Sequence, residues 1–147
     1  MKILIMGLPG SGKTTLATAL ARELQCVHFN ADEIRKEINK DLGFSEADRI
    51  EQARRMGVLC DITGRFGAHV IADFICPTPE ARKAFGAAFI IWVDRIKESR
   101  FEDTNKLFVP PVDYAVRING QFGMQFYAEE LALKIKPKTG LSNFNVG

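Results

Sequence analysis

Short apolar runs alternate along the chain with longer segments in which apolar residues recur every three or four positions. The apolar runs predict five β-strands, at residues 2–6, 26–29, 69–73, 89–93 and 114–118. The intervening segments predict five helices, at residues 13–24, 31–39, 45–64, 78–85 and 122–135. Strands that alternate with helices are typical of a mostly parallel sheet covered by helices on both faces. The pattern therefore predicts an α/β fold with a sheet of about five strands.

Two segments do not follow this alternation. Residues 99–112 show no clear period, carry several charges and contain the pair Pro110-Pro111, so we expect a lid, loop or mobile flap within residues 95–113. Residues 137–147 are polar and contain glycine, and we expect them to form a flexible tail. Residues 1–136 are enough for one domain with its own core and too few for two.

The connection between the first strand and the first helix carries the phosphate-binding pattern Gly-x-x-x-x-Gly-Lys-Thr at residues 7–14. In such a loop the glycines let backbone N–H groups converge on phosphate oxygens, and the following helix adds the positive end of its dipole. Lys13 would reach the β- and γ-phosphates of a nucleoside triphosphate, and the Thr14 hydroxyl would hold Mg²⁺. A chance match in a glycine-rich turn is disfavoured, because a strand precedes the run and a helix follows it. The run thus predicts a P-loop nucleotide-binding fold with ATP and Mg²⁺ as cofactors. The nucleotide-binding residues predicted are Gly7, Leu8, Pro9, Gly10, Ser11, Gly12, Lys13, Thr14 and Thr15.

Charged residues follow the second and third predicted strands, at the sheet edge that also carries the phosphate loop. Asp32 is placed to meet the γ-phosphate, Mg²⁺ or an acceptor hydroxyl, as phosphoryl transfer requires of a carboxylate. Its alternative role is an N-cap of the next helix. Asp73 either holds Mg²⁺ through water or caps the turn after its strand. Four arginines farther on form either an anion site or a solvated helix face, and they are Arg35, Arg49, Arg54 and Arg55.

Four motifs, in this order and spacing, resemble the adenylylsulfate kinase (APS kinase) family, which phosphorylates the 3′-hydroxyl of adenylyl sulfate with ATP. The first is the phosphate loop, Gly7 to Thr15, and the second is Asn-Ala-Asp-Glu-Ile-Arg at residues 30–35, for the family's Asp-Gly-Asp-x-[Ile/Val]-Arg. Residues 38–45 read Ile-Asn-Lys-Asp-Leu-Gly-Phe-Ser, for Leu-Asn-x-Asp-Leu-Gly-Phe-Ser. Residues 48–55 read Asp-Arg-Ile-Glu-Gln-Ala-Arg-Arg, for Asp-Arg-x-Glu-Asn-Ile-Arg-Arg. A fainter match continues at residues 74–77 and Arg82, so the resemblance is specific over about the first 85 residues.

The resemblance implies a kinase that transfers the γ-phosphoryl group of ATP to adenylyl sulfate and yields 3′-phosphoadenylyl sulfate. Asp32 would be the catalytic carboxylate and would act with Lys13, while Arg100 is the candidate lid arginine that neutralises charge on the transferring group. The acceptor-binding residues that we predict are Asp32, Arg35, Asn39, Phe44, Arg49 and Ile75. The metal-binding residues that we predict are Thr14 and Asp73.

The chain also departs from the family pattern. The first aspartate of Asp-Gly-Asp is Asn30, and the asparagine of Glu-Asn-Ile-Arg-Arg is Gln52. Cys76 replaces a serine that is sometimes described in the family as a phosphorylated intermediate, although direct in-line transfer needs no such residue. Asp73 is an additional acid, and the lid after Asp94 is shorter than the family's. A shorter lid bears on the identity of the acceptor more than on the reaction type.

Composition narrows the expected partners and location. Twenty Lys and Arg against 18 Asp and Glu give a net charge of +2, which argues against a nucleic-acid-binding tail. Three cysteines without Cys-x-x-Cys spacing indicate neither a disulfide framework nor a zinc site. Since no apolar stretch is long enough for a membrane span, we expect a cytoplasmic protein.

The expected partner is a small-molecule phosphoryl acceptor, with neither a membrane nor nucleic acid, and a homodimer stays open. Two other functions also stay open. One is a kinase of the same layout for another hydroxyl acceptor, such as a sugar, a nucleoside or a polynucleotide 5′-end. The other is a nucleotide-binding module without turnover, against which the carboxylate of Asp32 argues, because a pure binder has no need of it.

Overall fold

The computed structural model describes residues 1–135, so the tail predicted at residues 137–147 lies outside the described residues. The strands are β1 (Lys2–Met6), β2 (Val27–Asn30), β3 (Val70–Asp73), β4 (Phe89–Val93) and β5 (Val116–Ile118). The helices are α1 (Lys13–Leu24), α2 (Ala31–Glu37), α3 (Glu46–Gly64), α4 (Pro79–Phe85), α5 (Glu102–Leu107) and α6 (Met124–Ile135). All strand pairs are parallel, and the sheet has the order β2-β3-β1-β4-β5. The predicted α/β fold is confirmed, and each predicted element ends within two residues of its observed bounds.

Helix α5 is the one described element that the sequence pattern does not predict. It lies inside the segment expected to be a loop or flap, so that expectation needs correction. A helix of six residues has fewer than two turns and leaves no recognisable period in the sequence. The end of the segment is attached to the domain, because the Val109 N–H donates to the Pro77 carbonyl at 2.7 Å and Arg82 donates to the Val109 carbonyl at 2.7 Å.

The two faces of the sheet bury two separate clusters of apolar side chains. Ile3 and Ile5 of β1 belong to the cluster that includes residues of α1 and α6. Leu4 and Met6 belong to the cluster that includes residues of α3 and α4. All four residues are at most 1% exposed, because successive residues of a strand point to opposite faces and both faces are covered. Helices on both faces leave the carboxyl ends of the strands as the open edge of the sheet.

Helix α3 packs closely against α4 at Gly57. A Cβ atom at this position would lie well inside van der Waals contact with the carbonyl oxygen of Phe85, the last residue of α4. Gly64, at the end of the same helix, has open space around the corresponding position. The two glycines therefore separate the effect of close helix packing from the ordinary effect of glycine in a helix.

We predict that Gly57→Ala lowers the free energy of unfolding by about 1–3 kcal/mol, since overpacking against a backbone carbonyl outweighs the gain of about 1 kcal/mol that alanine normally gives in a helix. The matched control, Gly64→Ala, should be neutral or slightly stabilising. Urea denaturation monitored by circular dichroism measures both values. Equal stability of the two variants would contradict the close contact.

Candidate active site

The phosphate loop connects β1 to α1 and presents backbone N–H groups to the open edge of the sheet. Gly10 and Gly12 have φ angles of 81° and 103°, a conformation that glycine adopts without strain. Gly12 is the N-cap of α1, and it has no side chain that could accept a hydrogen bond from the first-turn amides of this helix. Those amides and the helix dipole favour an anion at this position.

Lys13 lies over the same loop. Its ammonium group donates to the Leu8 carbonyl at 2.9 Å, and the residue is only 8% exposed. Burial lowers the pKa of Lys13, while the carboxylates of Asp73 and Asp32 act in the opposite direction. Both carboxylates therefore lie within electrostatic range of the lysine that the sequence assigns to the phosphates.

Asp73, at the end of β3, is a buried carboxylate that is 2% exposed. The Thr14 hydroxyl donates to one of its oxygens at 3.0 Å, and the ring nitrogen Nε2 of His28 contacts the other. The Asn30 amide lies 3.2 and 3.3 Å from the two oxygens. The carboxylate thus joins the ends of β2 and β3 to the start of α1.

Asp32 lies in the first turn of α2, with its side chain exposed. It is not the N-cap of the helix, so that alternative is wrong. The N-cap is Asn30, whose side-chain oxygen accepts from the Glu33 N–H at 3.0 Å. Because Asn30 satisfies the helix end, the Asp32 carboxylate is available to the cavity.

Phosphate loop and carboxylates open into one cavity of about 590 Å³. Six of the predicted nucleotide-binding residues line it, namely Pro9, Gly10, Gly12, Lys13, Thr14 and Thr15. Gly7, Leu8 and Ser11 are buried and do not line it. The other predicted site residues that line it are Asp32, Arg35, Phe44, Arg49, Asp73, Ile75 and Arg100. The cavity therefore brings together nearly all residues that the sequence analysis assigned to chemistry.

Asn39 is the exception among the predicted acceptor residues. It does not line the cavity and is buried, with its amide donating to the Gln52 side chain at 2.8 Å. Gln52 lines the cavity and donates in turn to the Ala31 carbonyl at 3.2 Å. The chain leaves helix α2 after Glu37, which turns the Asn39 side chain towards α3. Asn39 therefore contacts the cavity only indirectly, by a hydrogen bond to the lining residue Gln52.

One wall of the cavity is formed by an aromatic ring and two arginines that lie close to it. Phe44 is 67% exposed, with the Arg35 guanidinium 4.5 Å and the Arg49 guanidinium 5.8 Å from its ring centroid. Arg49 also donates to the Phe44 carbonyl at 3.0 Å and to the Thr104 hydroxyl of α5 at 3.4 Å. We call Arg35, Phe44 and Arg49 the arginine–phenylalanine cluster.

The two remaining arginines of the motifs form ion pairs away from the cavity. Arg54 pairs with Glu51 at 2.7 Å, and Arg55 pairs with Asp41 at 2.8 Å. Arg54 is exposed, as the solvated-face alternative expects, while Arg55 is part-buried and also donates to the Asn39 side chain at 3.2 Å. Arg35 and Arg49, in contrast, line the cavity. Arg100 lines it as well, with its guanidinium 5.0 Å from the Phe101 ring centroid.

His28 contacts the Asp73 carboxylate, although its sequence context assigns it no chemical role. The residue stands alone in an apolar strand, and nothing in its local sequence indicates a carboxylate partner. The sequence signal that could have found it is its spacing from Asn30, because residues two apart in a strand point to the same face of the sheet. Pairing of β2 with β3 then brings both side chains to Asp73.

No group of three or more His, Cys, Asp or Glu side chains within residues 1–135 is arranged to hold a metal ion. The oxygen donors that meet beside the phosphate loop include the Thr14 hydroxyl and the Asp73 carboxylate, which are hydrogen-bonded to each other. Mg²⁺ is commonly bound by one or two protein groups together with water and substrate phosphates. The donor set therefore suits Mg²⁺ that arrives with a nucleotide, and it does not suit a resident metal cage.

The fold and the site together define a P-loop nucleotide-binding protein, with the loop after the first strand of a parallel sheet. The sequence model of a family described as adenylylsulphate kinase matches residues 1–96. The chain belongs to the adenylylsulphate kinase family.

Individual relatives agree with this assignment. Adenylyl-sulfate kinase of Bacillus velezensis is 46% identical over 83 residues, which cover 53% of this chain and 42% of that protein. The chain spans about half the length of the curated relatives that it matches. The structure of the Mycobacterium tuberculosis APS kinase CysC in complex with AMPPNP and APS has a TM-score of 0.79 at 23% identity and covers 92% of this chain and 96% of that one. The structure of a sugar kinase from Janibacter has a TM-score of 0.69 at 17% identity and covers 92% of this chain and 96% of that one. The fold is therefore shared beyond the family.

None of the helices in the described part of the chain combines the length and apolarity needed to cross a bilayer.

Cys76 lines the cavity at the position of the family's serine. Its backbone has a φ of 47°, and Arg82 donates to its carbonyl at 2.8 Å. Burial raises the pKa of the Cys76 thiol to about 12, so the thiol is neutral near pH 7 and is not a nucleophile there.

We predict that Cys76 in the folded protein reacts slowly with iodoacetamide at pH 8, where a thiol of pKa about 12 has about one thiolate in ten thousand. The rate should rise with pH, and denaturation should raise it by at least about 100-fold. Mass spectrometry of the modified peptides measures the rate, with the partly exposed Cys26 as an internal comparison. Equal rates for Cys76 in the folded and unfolded chain would contradict the burial of its thiol.

Proposed function

We propose that the protein is a kinase that transfers the γ-phosphoryl group of Mg·ATP to the 3′-hydroxyl of adenylyl sulfate. The observation that supports it most is the shared cavity, which the phosphate loop, Asp32 and the arginine–phenylalanine cluster all line. The family membership supports the same substrates, since relatives that this chain matches over about half of their length are named adenylyl-sulfate kinase.

The phosphate end of the reaction would use the loop amides and Lys13. The ammonium group, which donates to the Leu8 carbonyl, is near enough to the loop to donate to β- and γ-phosphate oxygens instead. Mg²⁺ supplies charge neutralisation to those phosphates when it is bound, and Thr14 would hold it directly with Asp73 acting through water. Arg100 would neutralise charge on the transferring group from the lid side of the cavity.

The acceptor end would use Asp32 and the arginine–phenylalanine cluster. The Asp32 carboxylate would accept the proton of the 3′-hydroxyl as its oxygen bonds to the γ-phosphorus and the bond from phosphorus to ADP breaks. The exposed ring of Phe44 offers a face on which an adenine base can stack. Arg35 and Arg49 would pair with the phosphate and sulfate oxygens of the acceptor.

We predict that adenylyl sulfate stimulates ADP release by the purified protein in the presence of Mg·ATP. A coupled assay of ADP measures the rate, with a sugar, a nucleoside and a polynucleotide 5′-end tested in parallel. ATP binding is measured separately by calorimetry, so that a protein with a damaged phosphate loop is recognised. Normal ATP binding without any adenylyl-sulfate-dependent ADP release would falsify the proposed substrate.

We also predict that Asp32→Asn lowers kcat by about 10²–10⁴-fold while ATP affinity is unchanged, because the variant loses the group that receives the acceptor proton. The matched control is Glu33→Gln, which removes an exposed carboxylate of the same helix turn that does not line the cavity. This control should keep the kcat of the wild type. If the wild type and Asp32→Asn are equally inert towards every acceptor, the chain is a nucleotide-binding module without turnover.

A second candidate is a kinase of the same layout for another hydroxyl acceptor. The observation that favours it is the position at which the family match ends, residue 96, because Arg100 and Phe101 line the cavity beyond that point. The parallel acceptor assay separates the two candidates, since both require Asp32 and the phosphate loop but differ in the molecule that stimulates ADP release.

A further inference from the structure

We propose that Asp73 replaces the first aspartate of the family's Asp-Gly-Asp motif as the acid beside Thr14, with His28 and Asn30 as its positioning residues. This inference rests on the proposed function, because it concerns the metal side of the same cavity. Two departures from the family pattern, Asn30 in place of an acid and the additional acid Asp73, then become one change.

The first argument is the register of the sheet. Strands β2 and β3 are neighbours, and Asn30 is the residue directly paired with Asp73. The Asn30 amide nitrogen lies 3.2 Å from the Thr14 hydroxyl oxygen and 3.2 and 3.3 Å from the two Asp73 oxygens. An acid at position 30 or an acid at position 73 would therefore face the same hydroxyl.

The second argument is that an amide at position 30 is complementary to the Asp73 carboxylate, whereas a second carboxylate there is not. If residue 30 were aspartate, a carboxylate oxygen would stand where the Asn30 nitrogen stands, about 3 Å from both oxygens of a buried carboxylate. Two carboxylates at that distance repel each other, and neither can donate a hydrogen bond to the other. Asn30 instead donates a hydrogen bond to Asp73, so the amide and the acid are complementary.

The third argument is that the remaining partners of Asp73 direct one of its oxygens to Thr14. Oδ1 accepts from the Thr14 hydroxyl at 3.0 Å, while Oδ2 is in contact with the His28 ring. His28 is itself part-buried, and its ring nitrogen Nε2 is in contact with the Asp73 carboxylate. A histidine at this position therefore holds the relocated acid in the orientation that Thr14 requires.

The test exchanges the amide and the acid. Asn30→Asp keeps the side-chain oxygen that caps α2 and changes only the amide nitrogen, and Asp73→Asn has the same shape as the native residue. The variants are the two single substitutions, the double substitution and the control Asp113→Asn, which changes an exposed acid. Binding of Mn²⁺ to the ADP complex of each variant is measured by electron paramagnetic resonance, without any acceptor.

We predict that Asp73→Asn weakens Mn²⁺ binding by about 10–100-fold, as is typical for loss of a group that supports a metal site. The double substitution should restore most of that affinity, and Asp113→Asn should not change it. His28→Leu should weaken Mn²⁺ binding while the affinity for ADP without metal stays unchanged. Unchanged Mn²⁺ affinity in Asp73→Asn, or a double variant no tighter than Asp73→Asn, would overturn the proposal.

A second measurement, of stability without metal, tests the proposal for variants that fold too poorly for the Mn²⁺-binding assay. In urea denaturation, Asn30→Asp alone should destabilise the protein because it pairs two carboxylates, and adding Asp73→Asn should recover stability. Additive effects of the two substitutions would also overturn the proposal. Neither readout depends on the acceptor, so these outcomes are distinct from a failure of adenylyl sulfate to stimulate ADP release.

Discussion

The site depends on one buried carboxylate, that of Asp73. A charge that is 2% exposed is stable in a folded protein only when hydrogen bonds or an opposite charge replace the lost water. The partners of this carboxylate come from the start of α1 and from β2, through Thr14, His28 and Asn30. All of these segments must be in register for the carboxylate to be satisfied. The same contacts therefore hold the phosphate loop and the ends of β2 and β3 at the edge where the cavity opens.

The local pattern of apolar residues is enough to predict every described element except α5, because the strands and most helices contribute apolar side chains to the two core clusters. Ser45, a residue type that is favoured at helix N-caps, lies at the predicted start of α3 and accepts from the Asp48 N–H at 3.1 Å. Helix α5 is missed because its six residues are too few for a period to appear.

Which strands lie next to each other in the sheet is harder to predict from sequence than where each strand begins and ends. Asn30 and Asp73 are neighbours only because β2 lies beside β3 in the sheet, and no local pattern encodes that order. For this reason the role of Asp73 stays undecided in the sequence, and His28 receives no chemistry there. Asn39 illustrates the same limit on a shorter scale, since a motif gives its identity while the end of α2 decides that its side chain meets Gln52.

In the proposed reaction, the phosphate loop and the acceptor-binding residues would depend on different parts of the chain. Lys13, Asp32 and Asp73 all precede residue 96, where the family match ends. The proposed acceptor wall, which is the arginine–phenylalanine cluster, also depends on residues beyond that point, because Arg49 donates hydrogen bonds both to the Phe44 carbonyl and to the Thr104 hydroxyl of α5. A change in the lid can therefore move the Arg49 guanidinium and alter the acceptor wall, while the phosphate loop stays as it is. A shortened lid is then compatible with an intact phosphate loop, while both Arg49 and the proposed lid arginine, Arg100, connect the lid region to the cavity.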